Sequence, residues 1–171
     1  MLHMQALTRD EWERVICWVT MERQEGKTIV FTNGCFDLLH VGHVQSLRWA
    51  AEQGDRLVVG VNSDASVRRL KGDGRPVIGC ADRVEVLAAL RYVDAVVVFD
   101  DDTPEELIRA LKPDILVKGA DWCGQKIAGA SFLETYGGKV FFCPVTAGVS
   151  TTAIIQRIRH GNGNKTQPCA G

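Results

Sequence analysis

The chain has 171 residues, 46% of them hydrophobic and 24% charged, the balance of a soluble globular protein about one domain long. Twenty basic against 21 acidic side chains leave a formal charge of −1, without the basic excess that a nucleic-acid-binding surface carries. No apolar run approaches the roughly 18 residues of a membrane span, and no signal-peptide apolar region opens the chain. The expectation is a cytoplasmic protein with neither nucleic acid nor a membrane as partner.

In chain order, Thr8 and Glu11 fit the capping box Thr-x-x-Glu, and Trp12, Val15, Ile16 and Val19 follow at i, i+3, i+4, i+7, the stripe of a helix. It reaches Arg23 and stops at Gly26. The β-branched run Thr28-Ile29-Val30-Phe31 predicts a buried strand. A polar turn over 32–37 then leads into a helix from Val41 to Gln53. Leu57 to Val61 predicts a second strand, and Asn62-Ser63-Asp64 caps a short helix ending at Leu70. A Gly-rich basic loop, Lys71-Gly72-Asp73-Gly74-Arg75-Pro76, precedes a helix over Ala81–Leu90 and a strand over Val93–Phe99. Thr103-Pro104-Glu105-Glu106 opens the next helix, with Thr103 as cap and Pro104 at the first helical position. Ile115–Val117 and Lys139–Cys143 are two further strands, and a last helix runs from near Ser150 to before Gly161.

Strands alternate with helices, and the strands are continuously apolar. That pattern predicts an α/β fold: a single Rossmann-like, doubly wound parallel sheet of about five strands with helices on both faces. The organisation expected is an N-terminal helical segment over 1–26, one domain over 27–160 and a disordered tail over 161–171. Ligands of such sheets bind at the carboxyl ends of the strands, where strand order reverses. The six cysteines (Cys17, Cys35, Cys80, Cys123, Cys143 and Cys169) contain no Cys-x-x-Cys pair. They are expected reduced and mostly buried, as small apolar side chains.

Two phosphate motifs are excluded. Gly26-Lys27-Thr28 looks like the end of a Walker A loop, but Met21 stands where its first glycine belongs. The dinucleotide fingerprint Gly-x-Gly-x-x-Gly is absent after the first strand. In its place the chain carries His40-Val41-Gly42-His43 on the opening turn of a helix. Residues three apart share a helical face, and here that face meets the free N–H groups and positive dipole end of the helix. Gly42 removes a side chain between the two rings. The spacing admits two satisfied or solvated histidines, a phosphate site, or part of a zinc site. No further Cys or His cluster offers zinc ligands, and the position straight after a buried strand favours phosphate.

Residues Thr32 to His43, with Gly34-Cys35-Phe36-Asp37 and His40-Val41-Gly42-His43 at their core, resemble the G-x-F-D-x-x-H-x-G-H signature of the cytidylyltransferase-like nucleotidyltransferases. Gly148-Val149-Ser150-Thr151-Thr152-Ala153-Ile154-Ile155 resembles that superfamily's second signature. Within it, Val61 to Ser66, Arg69-Leu70-Lys71-Gly72, Asp102-Thr103-Pro104 and Pro113 to Gly119 are most similar to the adenylyltransferases that make ADP-heptose from heptose 1-phosphate. The glycerol-phosphate cytidylyltransferases usually carry Arg-Thr-x-Gly before the serine, where this chain has Val145-Thr146-Ala147-Gly148. The missing arginine fits the heptose group better.

The resemblance implies transfer of a nucleotidyl group from ATP to D-glycero-β-D-manno-heptose 1-phosphate, with Mg²⁺ accompanying the triphosphate and no dedicated carboxylate cage. A phosphate monoester has its second pKa near 6 and is already mostly anionic at neutral pH, so no strong base is needed. Charge gathering on the α-phosphate and leaving group is what needs compensation. His40 and His43 are expected to supply it as donors. The backbone of Thr32, Asn33, Gly34, Cys35 and Phe36, with Gly42, would cradle phosphates. Asp37 reads as a structural cap of that loop. Ser150, Thr151 and Thr152 read either as β- and γ-phosphate ligands or as an ordinary helix cap.

In the related enzymes basic residues matching Lys71, Arg83 and Lys118 touch phosphates, which implies the same here. Arg75 and Asp121 are candidates for the substrate side. Arg68 and Arg69 read equally as ligands or solvated charge, and Asp100-Asp101-Asp102 as a solvated run ahead of a helix. The length leaves no room for the fused sugar kinase of many relatives, so the sugar phosphate is expected from a separate heptose 7-phosphate kinase. Resemblance also implies a homo-oligomer. Two rivals stay open: a CTP-dependent enzyme acting on glycerol 3-phosphate or a similar alcohol phosphate, and a catalytically silent nucleotide-binding domain.

Overall fold

The computed structural model describes residues 4–144 and 148–160. Six strands, β1 (Met4–Ala6), β2 (Ile29–Gly34), β3 (Arg56–Asn62), β4 (Ala95–Phe99), β5 (Ile115–Gly119) and β6 (Lys139–Cys143), form one sheet in the order β1-β4-β3-β2-β5-β6. Every pairing is parallel. The helices are α1 (Trp12–Gln24), α2 (Val41–Ala51), α3 (Asp64–Lys71), α4 (Cys80–Ala88), α5 (Glu105–Leu111), α6 (Ala130–Glu134) and α7 (Thr151–His160).

Successive strand residues point to opposite faces of a sheet, and here both faces are buried. Val30, Leu57, Val59, Val96, Val98, Ile115 and Val117 face one core, shared with Leu47 of α2 and Val84 and Leu87 of α4. Ile29, Phe31, Val58, Val97, Phe99 and Leu116 face the other, against Val15 and Val19 of α1 and Leu107, Ile108 and Leu111 of α5. Each large apolar side chain buried this way contributes roughly 1.5–3 kcal/mol. The unbroken apolar runs are the consequence of this two-sided burial.

The sixth strand, β1, lies ahead of the expected helix and pairs Gln5 with Val96 of β4 at the sheet edge. Three residues, one of them polar, are too few for a period-two pattern to register. After it, the Glu11 carboxylate accepts the Thr8 N–H at 3.0 Å and the Leu7 N–H at 2.6 Å, opening a tight turn over Arg9–Glu11 ahead of α1. At α5 the expectation moves by one residue: Pro104, not Thr103, is the cap, and no side chain closes it. Of the five cysteines among the described residues, only Cys143 is buried, and Cys17 and Cys123 are exposed, so burial does not explain most of them. Cys169, the expected tail over 161–171 and Val145 to Ala147 lie outside the described residues.

From β2 the chain winds outward through β3 to β4, then returns to the other side of β2 for β5 and β6. The reversal falls between β2 and β5, which makes their carboxyl ends the place where a ligand is expected.

Candidate active site

The β2–β5 pairing runs as far as Thr32 opposite Val117, and the Thr32 hydroxyl donates to the Val117 carbonyl at 3.1 Å. One residue further on each strand, the Lys118 ammonium donates to Asn33 Oδ1 at 2.5 Å. This bond spans the switch point. Lys118 is 7% exposed, and burial lowers its pKa to about 8, against a small opposing pull from Asp121. At neutral pH it is still mostly charged. Asn33, whose backbone is expected to meet phosphate, holds the lysine with its side chain.

Beyond Gly34 the backbone turns sharply, with Phe36 at φ 47°, a left-handed conformation uncommon outside glycine. This folds the Phe36 ring back over Gly34, where an added Cβ would lie 3.2 Å from Phe36 Cε2. The missing side chain at Gly34 therefore makes room for Phe36, a use beyond the expected approach of phosphate. Phe36 in turn packs against His43, with ring centroids 5.3 Å apart.

His40 is the extended N-cap of α2, and its Nδ1 accepts the His43 backbone N–H at 3.4 Å. The two imidazoles stack at 3.8 Å and 19°. Burial lowers the pKa of His40. Burial and the neighbouring His40 lower that of His43 to about 4. Both rings are neutral at pH 7, so each offers one N–H rather than a positive charge. His43 Nδ1 is shut in without a hydrogen-bond partner. Gly42 is buried in the first turn between them.

Asp37 caps this loop, in line with its position in the sequence. It is 2% exposed, accepts the Val77 and Ile78 N–H groups at 2.8 and 2.9 Å and pairs with Arg75. Burial pushes its carboxyl up, but the Ile78 and Val77 N–H groups and the Arg75 guanidinium outweigh that and hold it below the ordinary value. Arg75, a candidate for the substrate side, is thus committed to Asp37.

Arg83 departs further from expectation. It is 2% exposed and donates to the Ile78, Cys35 and Asn62 carbonyls and to Asp64. It is a buried strut joining α4 to the β2 and β3 loops. Burial raises the Cys35 thiol, against the pull of Lys71, Arg83 and Arg75. Of these three, Lys71, at the end of α3, is exposed.

The start of α7 docks on the same loop, the buried Thr151 donating to the Leu38 carbonyl at 3.4 Å. Ser150 Oγ accepts the Ala153 N–H at 3.1 Å, and Thr152 is exposed. Arg69 pairs with Asp102 at 2.7 Å, which assigns both to a surface ion pair beside α3. Asp121 is exposed, in a short turn over Ala120–Trp122. Two neighbours of the switch point escape sequence reading: Asn62, buried at the end of β3 with its amide donating to Ser66 at 3.0 Å, and Trp122, whose ring centroid lies 5.3 Å from the Lys118 ammonium. An asparagine closing a strand next to the switch point is the available signal for the first.

The geometry is a neutral histidine pair at a helix N-terminus, a buried lysine across the strand reversal and a loop braced from beneath. Such a site can bind phosphates and stabilise charge developing on them. Residues 31–157 match the cytidylyltransferase-like family. The chain is 58% identical over 138 residues to the bifunctional protein HldE of Syntrophotalea carbinolica, covering 81% of this chain and 28% of that protein. It is 57% identical over 140 residues to HldE of Mesorhizobium japonicum, covering 82% and 28%. It thus spans less than a third of the length of these relatives. Among solved structures, the lipopolysaccharide core biosynthesis protein of Thermoplasma volcanium superposes with a TM-score of 0.57 at 29% identity, over 71% of this chain and 98% of that one. The pantoate-beta-alanine ligase of Francisella tularensis shares the fold, with a TM-score of 0.59 at 12% identity over 94% and 74% of the two chains. By its matched residues and by the fold that carries them, the chain belongs to the cytidylyltransferase-like family of nucleotidyltransferases.

Proposed function

We propose that this chain transfers the adenylyl group of ATP to D-glycero-β-D-manno-heptose 1-phosphate, forming ADP-heptose for lipopolysaccharide core assembly. An oxygen of the sugar phosphate attacks the α-phosphorus, the bond to the bridging oxygen breaks, and pyrophosphate leaves. The observation that carries the reading is the stacked His40–His43 pair at the N-terminus of α2, beside the β2–β5 switch point that Lys118 spans. Neutral imidazoles donate through N–H without repelling one another. Lys118 supplies the fixed positive charge, and the exposed Lys71 a second one. Ser150, Thr151 and Thr152 bring a second helix start to the β- and γ-phosphates.

The heptose acceptor is supported by the family-like stretches around Lys71 and Lys118, by the HldE relatives and by the likeness to the Thermoplasma lipopolysaccharide core biosynthesis protein. Mg²⁺ enters with ATP, held by phosphate oxygens and water. Among the described residues no group of three or more His, Cys, Asp or Glu is placed to hold a metal. The sugar 1-phosphate comes from a kinase acting on the heptose, and the reaction belongs in the cytoplasm, where ATP is made. Among the described residues no helix is long and apolar enough to cross a membrane.

The test is pyrophosphate release by purified protein with Mg²⁺, ATP or CTP, and a panel of sugar and polyol phosphates. Release with ATP and heptose 1-phosphate alone is the expected outcome. Turnover of CTP with glycerol 3-phosphate would move the chain to the cytidylyl branch, and nucleotide binding without release in any combination would make it a silent domain.

A further inference from the structure

Three of the four tryptophans are accounted for by packing. Trp12 is buried, its indole N–H donating to the Val98 carbonyl at 2.8 Å. Trp18 and Trp49 pack against the two cores. Trp122 belongs to neither core and is 41% exposed. It sits three residues past the end of β5, at the carboxyl edge of the sheet where ligands of this architecture bind. The Lys118 ammonium lies 5.3 Å from its ring centroid, within cation–π range. The turn that carries it is braced: Cys123 N–H donates to the Ala120 carbonyl at 3.1 Å, Gln125 N–H to the Trp122 carbonyl at 3.0 Å, and the Gln125 amide to the Asp121 carbonyl at 2.7 Å. A large, half-open aromatic side chain is thus held on a fixed turn beside the buried lysine of the site.

We propose that Trp122 is the stacking platform for the base of the nucleoside triphosphate, working as a unit with Lys118: ammonium on phosphate, indole on base. The inference deepens the nucleotidyl-transfer reading and rests on it. Of the two reactants, the triphosphate alone carries an extended π face, and a base laid on an aromatic side chain is held whatever its hydrogen-bonding edge. The indole therefore adds affinity for the nucleotide without choosing between adenine and cytosine. Asp121 is exposed on the same turn.

The test measures equilibrium binding of a non-hydrolysable ATP analogue and, separately, of inorganic tripolyphosphate, to the full chain and to Trp122→Ala and Trp122→Phe. Tripolyphosphate reports the phosphate subsite without a base. Loss of one stacked base is expected to weaken the analogue about 5- to 150-fold in Trp122→Ala, to leave tripolyphosphate unchanged, and to be largely restored in Trp122→Phe. Equal binding of the analogue by the full chain and Trp122→Ala overturns the platform while leaving the nucleotidyl reading intact. Equal loss of both ligands overturns it too, since the side chain would then be structural. A raised KM for the sugar phosphate with unchanged analogue binding moves the indole to the acceptor and also overturns it. A full chain that binds neither ligand overturns this inference and the proposed function together.

Discussion

The two sides of the switch point are built on opposite plans. On the β2 side nearly every polar group is spent within the protein. Asp37 takes two backbone N–H groups and Arg75, Arg83 fills four acceptors, and His43 lies between Phe36 and His40. On the β5 side one lysine leans on Asn33, and beyond it stands an indole on a short turn. The first plan fixes a shape before any ligand arrives, which is what preorganised stabilisation of developing charge requires. The second leaves groups whose protein contacts are few and can be exchanged for those of a ligand. The buried arginine already holds four acceptors of the protein, whereas the buried lysine leans on one.

The sharpest way to break this contrast is to remove the donor that the β2 side holds in place. His43→Ala is expected to lower kcat for pyrophosphate release about 100- to 1000-fold. Near-native turnover would end the role given to the pair. Arg83→Met should act on stability instead. Truncating one partner of a buried ion pair costs about 3–5 kcal/mol, and denaturant unfolding should show a loss near the lower end, because Asp64 reaches solvent. If the variant instead kept its stability and lost only nucleotide affinity, Arg83 would be a ligand after all. Asp37→Asn is expected to cost about 1–3 kcal/mol of stability, as the loop over 75–78 loses its anchor. Since the folded carboxyl sits below its ordinary value, its contribution is present above roughly pH 4 and fades as pH falls further. In Asp37→Asn the acid side of the stability profile should be flatter.

The elements legible in the sequence are those in which one residue pattern has one physical meaning. Val30, Val59 and Val96 on one face and Phe31, Val58 and Val97 on the other make an unbroken apolar run because both faces are buried, and such a run reads as a parallel sheet. The histidine pair is legible because its two positions lie on one turn of one helix. The hidden features depend on partners distant in sequence. Nothing near Arg83 announces that the Asn62 carbonyl and Asp64 close over it, so by sequence it reads as one more basic residue near a phosphate loop. Asn33 looks like another member of that loop until β5 brings Lys118 beside it. Strand β1 is too short for its pattern to show.

The β5 side can be sharpened by titration. Burial lowers the Lys118 pKa to about 8, and as pH rises through that value the side chain loses its proton and its charge. An ordinary lysine would stay charged to about 10.4. Because kcat/KM follows the ionisation of the free enzyme, kcat/KM for ATP is expected to fall above pH 8, about tenfold by pH 9. The histidines should add no break above neutrality, since burial lowers both below the ordinary imidazole value. Lys118→Arg separates charge from geometry. Its guanidinium stays protonated throughout, so the limb at 8 should vanish even if the longer, planar group lowers the plateau. A limb that persists in Lys118→Arg would belong to another group and leave the lysine only a packing role. If instead the limb vanishes with the charge fixed, the lysine on the less committed side of the switch point is the group that supplies the positive charge.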